Sequence, residues 1–169
     1  MNGEILLYLQ SQRTPFVNDI MLFVTNLVWV MVGLCAAGLF FKKSRKICAQ
    51  ILVSVAAAFL LADLIKQVVR EPRPFVTVAG LVKVGPTPGG TSFPSAHTAV
   101  AFSLFWTLLL DRNRWKWWGL AFACLVGFSR MYLGVHYPTD VLGGIVTSLA
   151  ACWGVHCLFR WRKGCAHAQ

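Results

Sequence analysis

Apolar residues run almost unbroken through five stretches of this chain, separated by short polar connections. The stretches are Ile20 to Phe41, Ile47 to Ile65, Pro94 to Leu110, Trp115 to Gly134 and Val141 to Phe159. About 20 helical residues cross a hydrocarbon core of about 30 Å. Each run meets that length, or nearly so when tilted or buried in a bundle, and the one from Pro94 is the shortest. The pattern predicts an all-α, polytopic membrane helix bundle with about five transmembrane helices. Ahead of them, Glu4 to Gln12 sets Ile5, Leu6, Tyr8 and Leu9 among polar residues, which predicts a short interfacial helix. This segment lacks the basic leader of a secretory signal, and the first long run has no small-residue cleavage site, so it is expected to be retained.

Composition agrees with the pattern. With 169 residues, 57% of them hydrophobic and 13% charged, the chain is too apolar for an ordinary soluble protein of its size. Neither an internal repeat nor a low-complexity segment argues for a second unit, so residues 1–169 are expected to form one integral-membrane domain. The net charge of +10 is distributed unevenly. Lys42, Lys43, Arg45 and Lys46 occupy the first connection, Arg112, Arg114 and Lys116 the third, and Arg160, Arg162 and Lys163 the C-terminal tail. Five spans put all three groups on one side, which the positive-inside rule makes cytoplasmic. The N-terminus, the connection from Lys66 to Phe93 and the turn from Arg130 to Asp140 then share the outer side. A basic surface split between two membrane faces argues against a nucleic-acid partner, and none is expected. Cys35, Cys48, Cys124, Cys152, Cys157 and Cys165 fall within spans or toward the cytoplasmic side, so no disulfide framework is expected, and their spacing with the histidines does not read as a zinc site.

Against this background, three polar blocks are conspicuous because charged groups near a bilayer are expensive. Lys66 is followed seven residues later by Arg73-Pro74; then come Pro94-Ser95-Ala96-His97, and Ser129-Arg130 with His136 and Asp140 beyond. Prolines on both sides of Arg73 favour an extended backbone that turns the guanidinium over the helix end. Alone, Lys66 and Arg73 read equally well as snorkelling residues. A helix starting near Pro94 would present the amides of Ser95, Ala96 and His97 as an anion cradle, with the Ser95 hydroxyl as a further donor. Alone, that block is a helix cap with a polar neighbour. Pro138 suits a first helical turn, which sends Asp140 back toward His136, where a carboxylate fixes the imidazole tautomer. Asp63 is expected to pair with Lys66, one turn away. Glu71 reads as a solvated loop carboxylate, and Gly85 to Gly90 as a pliable connection able to fold over a headgroup.

In order and spacing, the blocks from Lys66 to Asp140 resemble the tripartite signature of the type 2 phosphatidic acid phosphatase superfamily. The family more often carries Gly at the position of Ala96; a helical first turn tolerates the methyl. The resemblance implies that His136 is the nucleophile, taking the phosphoryl group as phosphohistidine, and that Asp140 orients it. His97 is implied as the general acid and then the base, with Lys66, Arg73, Ser95, Ala96 and Arg130 holding phosphate oxygens. It implies no metal and no cofactor, since fixed cations occupy the role that Mg²⁺ has in many phosphoryl enzymes. The implied substrate is a lipid phosphate or pyrophosphate. Arg73 to Phe75 and Pro94 to His97 resemble the bacterial undecaprenyl pyrophosphate phosphatases, with the site at the outer face of the cytoplasmic membrane. Phosphatidylglycerophosphate, phosphatidate and lipid A phosphatases stay open, as does phosphate transfer to another lipid. A different class, a small anion-binding membrane transporter, is disfavoured because the charges cluster at one surface and not at the midplane.

Overall fold

The computed structural model describes residues 2–166, with side chains to Trp161. Arg162, Lys163, Cys165 and His167 therefore lie outside the described side chains. The described residues form helices and no strands. The short α1 (Asn2–Ser11) lies where an interfacial helix was expected, with Leu6 buried and Ile5 and Tyr8 outward. Thr14 opens α2 (Pro15–Ala37) by accepting from the Val17 amide at 3.3 Å, with Pro15 in the first turn, where its missing N–H costs nothing. A 3-10 turn, Gly38–Phe40, leads to α3 (Arg45–Val69). Arg70 ends α3 in the left-handed conformation, at φ 50° and ψ 34°. Pro72 and Pro74 follow, and α4 (Pro74–Thr77) is a single turn. After a long connection, α5 (Ala96–Leu110) begins at the capping Ser95. The bundle is completed by α6 (Lys116–Tyr132) and α7 (Pro138–Ala166).

Five long helices thus occupy the five predicted runs. By length and apolarity, three segments suffice to cross a membrane: Pro15–Phe40, Arg45–Thr77 and Pro138–Trp161. Helices α5 and α6 have 15 and 17 residues, at about 1.5 Å each shorter than a hydrocarbon core. Packing explains α5: it contacts α3, α6 and α7 and is buried on nearly every side, as a helix apolar all round must be. Small residues let these backbones approach. A Cβ on Gly144 of α7 would lie 2.7 Å from the Ser95 carbonyl, and one on Gly127 of α6 3.2 Å from Val141. Outward faces are apolar, and only 22% of the most apolar window of α2 is buried within the protein, so lipid must cover the rest. Trp115, Trp117, Trp118 and Trp161 are exposed near the end of the bundle where the basic connections gather, as interface anchors are.

Candidate active site

The three polar blocks meet where α3 and α6 end and α5 and α7 begin. Lys66, in the last turn of α3, donates from Nζ to the carbonyls of Thr91 at 2.7 Å and Ser92 at 3.0 Å. The expected pairing with Asp63 is not what forms: Asp63 accepts from Gln67 Nε2 at 2.9 Å, and the lysine turns to the loop carbonyls. Arg73 has the extended backbone its prolines predict, at φ −75° and ψ 151°. Its Nε donates to the Gly90 carbonyl at 3.0 Å, Nη2 to that of Gly89 at 2.7 Å, and Nη1 to that of Val135 at 3.1 Å. Nη1 also lies 3.3 Å from His136 Nε2. A guanidinium only donates, so this nitrogen of His136 is the unprotonated one. The proton sits on Nδ1, which donates to Asp140 Oδ2 at 3.1 Å. Burial lowers the His136 pKa below its ordinary value of 6.5; the Asp140 hydrogen bond opposes this shift, while Arg130 and Arg73 reinforce it.

Asp140 is fully buried in the first turn of α7. Its Oδ2 also accepts from the Tyr137 amide at 2.8 Å and from the Ser92 hydroxyl, whereas Oδ1 has no partner among the described residues. The Asp140 carbonyl takes the Ser95 amide at 3.0 Å, tying the start of α5 to the start of α7. Ser95 itself is buried; its hydroxyl accepts from the Thr98 amide at 3.5 Å as the cap of α5, and also from Thr98 Oγ1 at 2.9 Å. Ala96 is the first helical residue and has no positive φ, so its methyl fits. His97 follows, edge-on to Trp29 at 5.6 Å between ring centroids. Arg130 donates from Nη1 to Thr25 of α2 at 2.8 Å, and its buried Nε has no partner among the described residues. Ser129 turns away, its hydroxyl donating to the Val126 carbonyl.

A cavity of about 470 Å³ opens among these groups. Lys66, Arg73, Ala96, His97, Arg130 and His136 line it, with Phe59, Asp63 and the Pro88-Gly89-Gly90 stretch of the loop. Asp140 lies behind His136, and Ser95 does not reach the wall. Ser92, Thr25 and the loop carbonyls were not singled out from the sequence. Their types are common, and their roles are defined only by what they touch.

Fixed cations and two imidazoles thus gather around one cavity at one end of an apolar bundle. The PAP2 superfamily model matches residues 48–163, and the chain belongs to this family of membrane lipid phosphatases. It is 34% identical over 148 residues to an undecaprenyl-diphosphatase of Sulfolobus acidocaldarius, covering 85% of this chain and 71% of the relative. It is 33% identical over 156 residues to undecaprenyl-diphosphatase BcrC of Bacillus subtilis, covering 88% and 79%. The crystal structure of a PAP2-type phosphatidylglycerolphosphate phosphatase from Bacillus subtilis superposes with a TM-score of 0.75 at 26% identity, over 94% of this chain and 84% of that one. The protein is a phosphatase of the PAP2 superfamily.

Proposed function

We propose that this phosphatase converts undecaprenyl diphosphate to undecaprenyl phosphate at the outer face of the cytoplasmic membrane, through a phosphohistidine on His136. The observation that carries the chemistry is the unprotonated Nε2 of His136, backed by Asp140 and lining one cavity with His97, Lys66, Arg73 and Arg130. Nε2 attacks the terminal phosphorus and the bond to the bridging oxygen breaks. His97 donates a proton to that oxygen as the lipid phosphate leaves. Water then attacks the phosphohistidine, His97 takes its proton, and inorganic phosphate departs with Nε2 restored. Lys66, Arg73 and Arg130, with the first amides of α5, stabilise the phosphoryl oxygens as charge shifts, and the unpartnered Arg130 Nε suits that task. Ser95 holds the helix start that aims those amides.

The diphosphate assignment draws on the two relatives named for that activity. A lipid tail is favoured by an apolar crevice of about 60 Å³, lined by Trp29, Phe59 and Val100 with Ala96 and His97, which adjoins the general acid where the leaving group sits. The outer-face placement draws on the charge asymmetry, because the site lies at the end of the helices away from Lys42 to Lys46 and Arg112 to Lys116. The structural relative keeps phosphatidylglycerophosphate as the second reading. The test is phosphate release by purified protein in detergent with EDTA, from undecaprenyl diphosphate, phosphatidylglycerophosphate, phosphatidate and a lipid A phosphate side by side. The diphosphate is expected to have the highest kcat/KM, with vanadate competing against it. A higher value for another lipid would replace the substrate, and no release from any would overturn the reading.

A further inference from the structure

We propose that Ser92 is a positioning residue for this reaction, its hydroxyl holding the Asp140 carboxylate so that His136 presents Nε2 to phosphorus. The inference rests on the reading of His136 and Asp140 given above. Ser92 is fully buried and does not line the cavity, so it acts through another group. It connects two of the blocks and flanks the third. Its carbonyl accepts from Lys66 Nζ at 3.0 Å, its hydroxyl donates to Asp140 Oδ2, and it precedes the capping Ser95 by three residues. Its amide donates to the Glu71 carbonyl at 2.7 Å, which fixes the backbone from which the hydroxyl reaches.

The geometry makes the hydroxyl consequential. All the donors to the Asp140 carboxylate among the described residues, Ser92 Oγ, His136 Nδ1 and Tyr137 N, converge on Oδ2. Nothing among the described residues holds Oδ1, so these three alone resist rotation of the carboxylate. One of the three is the imidazole to be aimed, which leaves Ser92 and the Tyr137 amide as the external references. The Ser92 oxygen is 3.5 Å from His136 Nδ1, too far to orient the ring directly, so its effect passes through the carboxylate. The hydroxyl has a single proton and the carboxylate can only accept, so the direction of the bond is fixed.

The experiment is a double-mutant cycle on the lipid phosphate turned over fastest in the panel above. Ser92→Ala is expected to lower kcat about tenfold or more, as loss of a hydrogen bond to a charged group does, with KM within about threefold. Ser92→Cys keeps the side-chain shape with a somewhat larger atom and is only a weak donor, so it is expected to lose kcat in the same way and serves if the alanine variant does not fold. Placed on Asp140→Asn, Ser92→Ala is expected to cost at most about twofold more, because its route is already cut. A folded Ser92→Ala or Ser92→Cys protein with full kcat overturns the proposal, and so does a loss that multiplies in full on Asp140→Asn. Wild-type activity that survives His136→Ala would instead refute the assignment of the nucleophile.

Discussion

As the proposed nucleophile, His136 must keep Nε2 unprotonated, and the contacts with Arg73 and Asp140 favour that state. His136→Ala is expected to abolish phosphate release while leaving the protein folded, checked by turnover and by gel filtration of the purified variant. The same burial has a cost in acid. The folded-state pKa lies below 6.5, so as pH falls from that value the unfolded chain takes up a proton that the folded chain refuses. The contribution to stability is complete above pH 6.5 and is lost on acidification toward the lowered pKa. His136→Gln is therefore expected to flatten the fall in apparent Tm over that window, read by thermal melts at a series of pH values. At Arg70 a left-handed backbone costs an L-residue about 1–2 kcal/mol, so Arg70→Gly is expected to raise the apparent Tm. Residues such as His97, His136 and Arg130 were legible in the sequence because ionisable groups are conspicuous in an apolar chain. The carbonyls of Gly89 to Ser92 were not, because every residue carries the same carbonyl, and the left-handed Arg70 bears no mark of its conformation.

At the scale of elements, the site depends on how closely α5 and α7 approach. The Ser95 amide reaches the Asp140 carbonyl only because Gly144 leaves room beside it. Gly144→Ala would put a Cβ 2.7 Å from the Ser95 carbonyl and 3.1 Å from Thr98 Cβ. It is expected to cost about 1–3 kcal/mol of stability and to lower kcat by moving the first turn of α5 away from His136. Gly154→Ala, with open space around its Cβ, is the matched control, expected to keep both Tm and kcat. At the opposite ends of α3, α5 and α7, Gln50 and His156 converge on Asp111 at 3.2 Å and 3.1 Å, so His156 ties helices together, remote from the cavity. The starts of α5 and α7 were readable from Ser95 and Pro138, since caps and prolines act locally, whereas α2 begins at Pro15, ahead of the run expected from Ile20. That the run from Pro94 is the shortest was already visible, and α5 is correspondingly short; the shortness of α6 was not evident, because its apolar run from Trp115 continues past Tyr132 to Gly134.

Across the whole molecule, charge is sorted between two ends. Thr87→Cys, in the exposed loop beside the cavity, is expected to react with an impermeant thiol reagent added to intact cells, whereas Lys43→Cys at the other end is expected to be protected, both in a background without the native cysteines. The reverse labelling would invert the orientation. That the charges lie at two ends was legible from the sequence; how the loop closes the cavity end was not. Backbone oxygens of residues 89–92 accept from donors of Lys66 and Arg73 that the proposed phosphate contacts would also use. Under the proposed function, binding would exchange one set of oxygens for another, and its net gain would come from charge and from the lipid anchor more than from the number of bonds. In the proposed reaction cleavage would remove that anchor and leave the loop oxygens as rivals for the same donors, so inorganic phosphate is expected to inhibit only weakly compared with the lipid substrate's own affinity, a difference that would set how quickly the enzyme is ready for its next turnover.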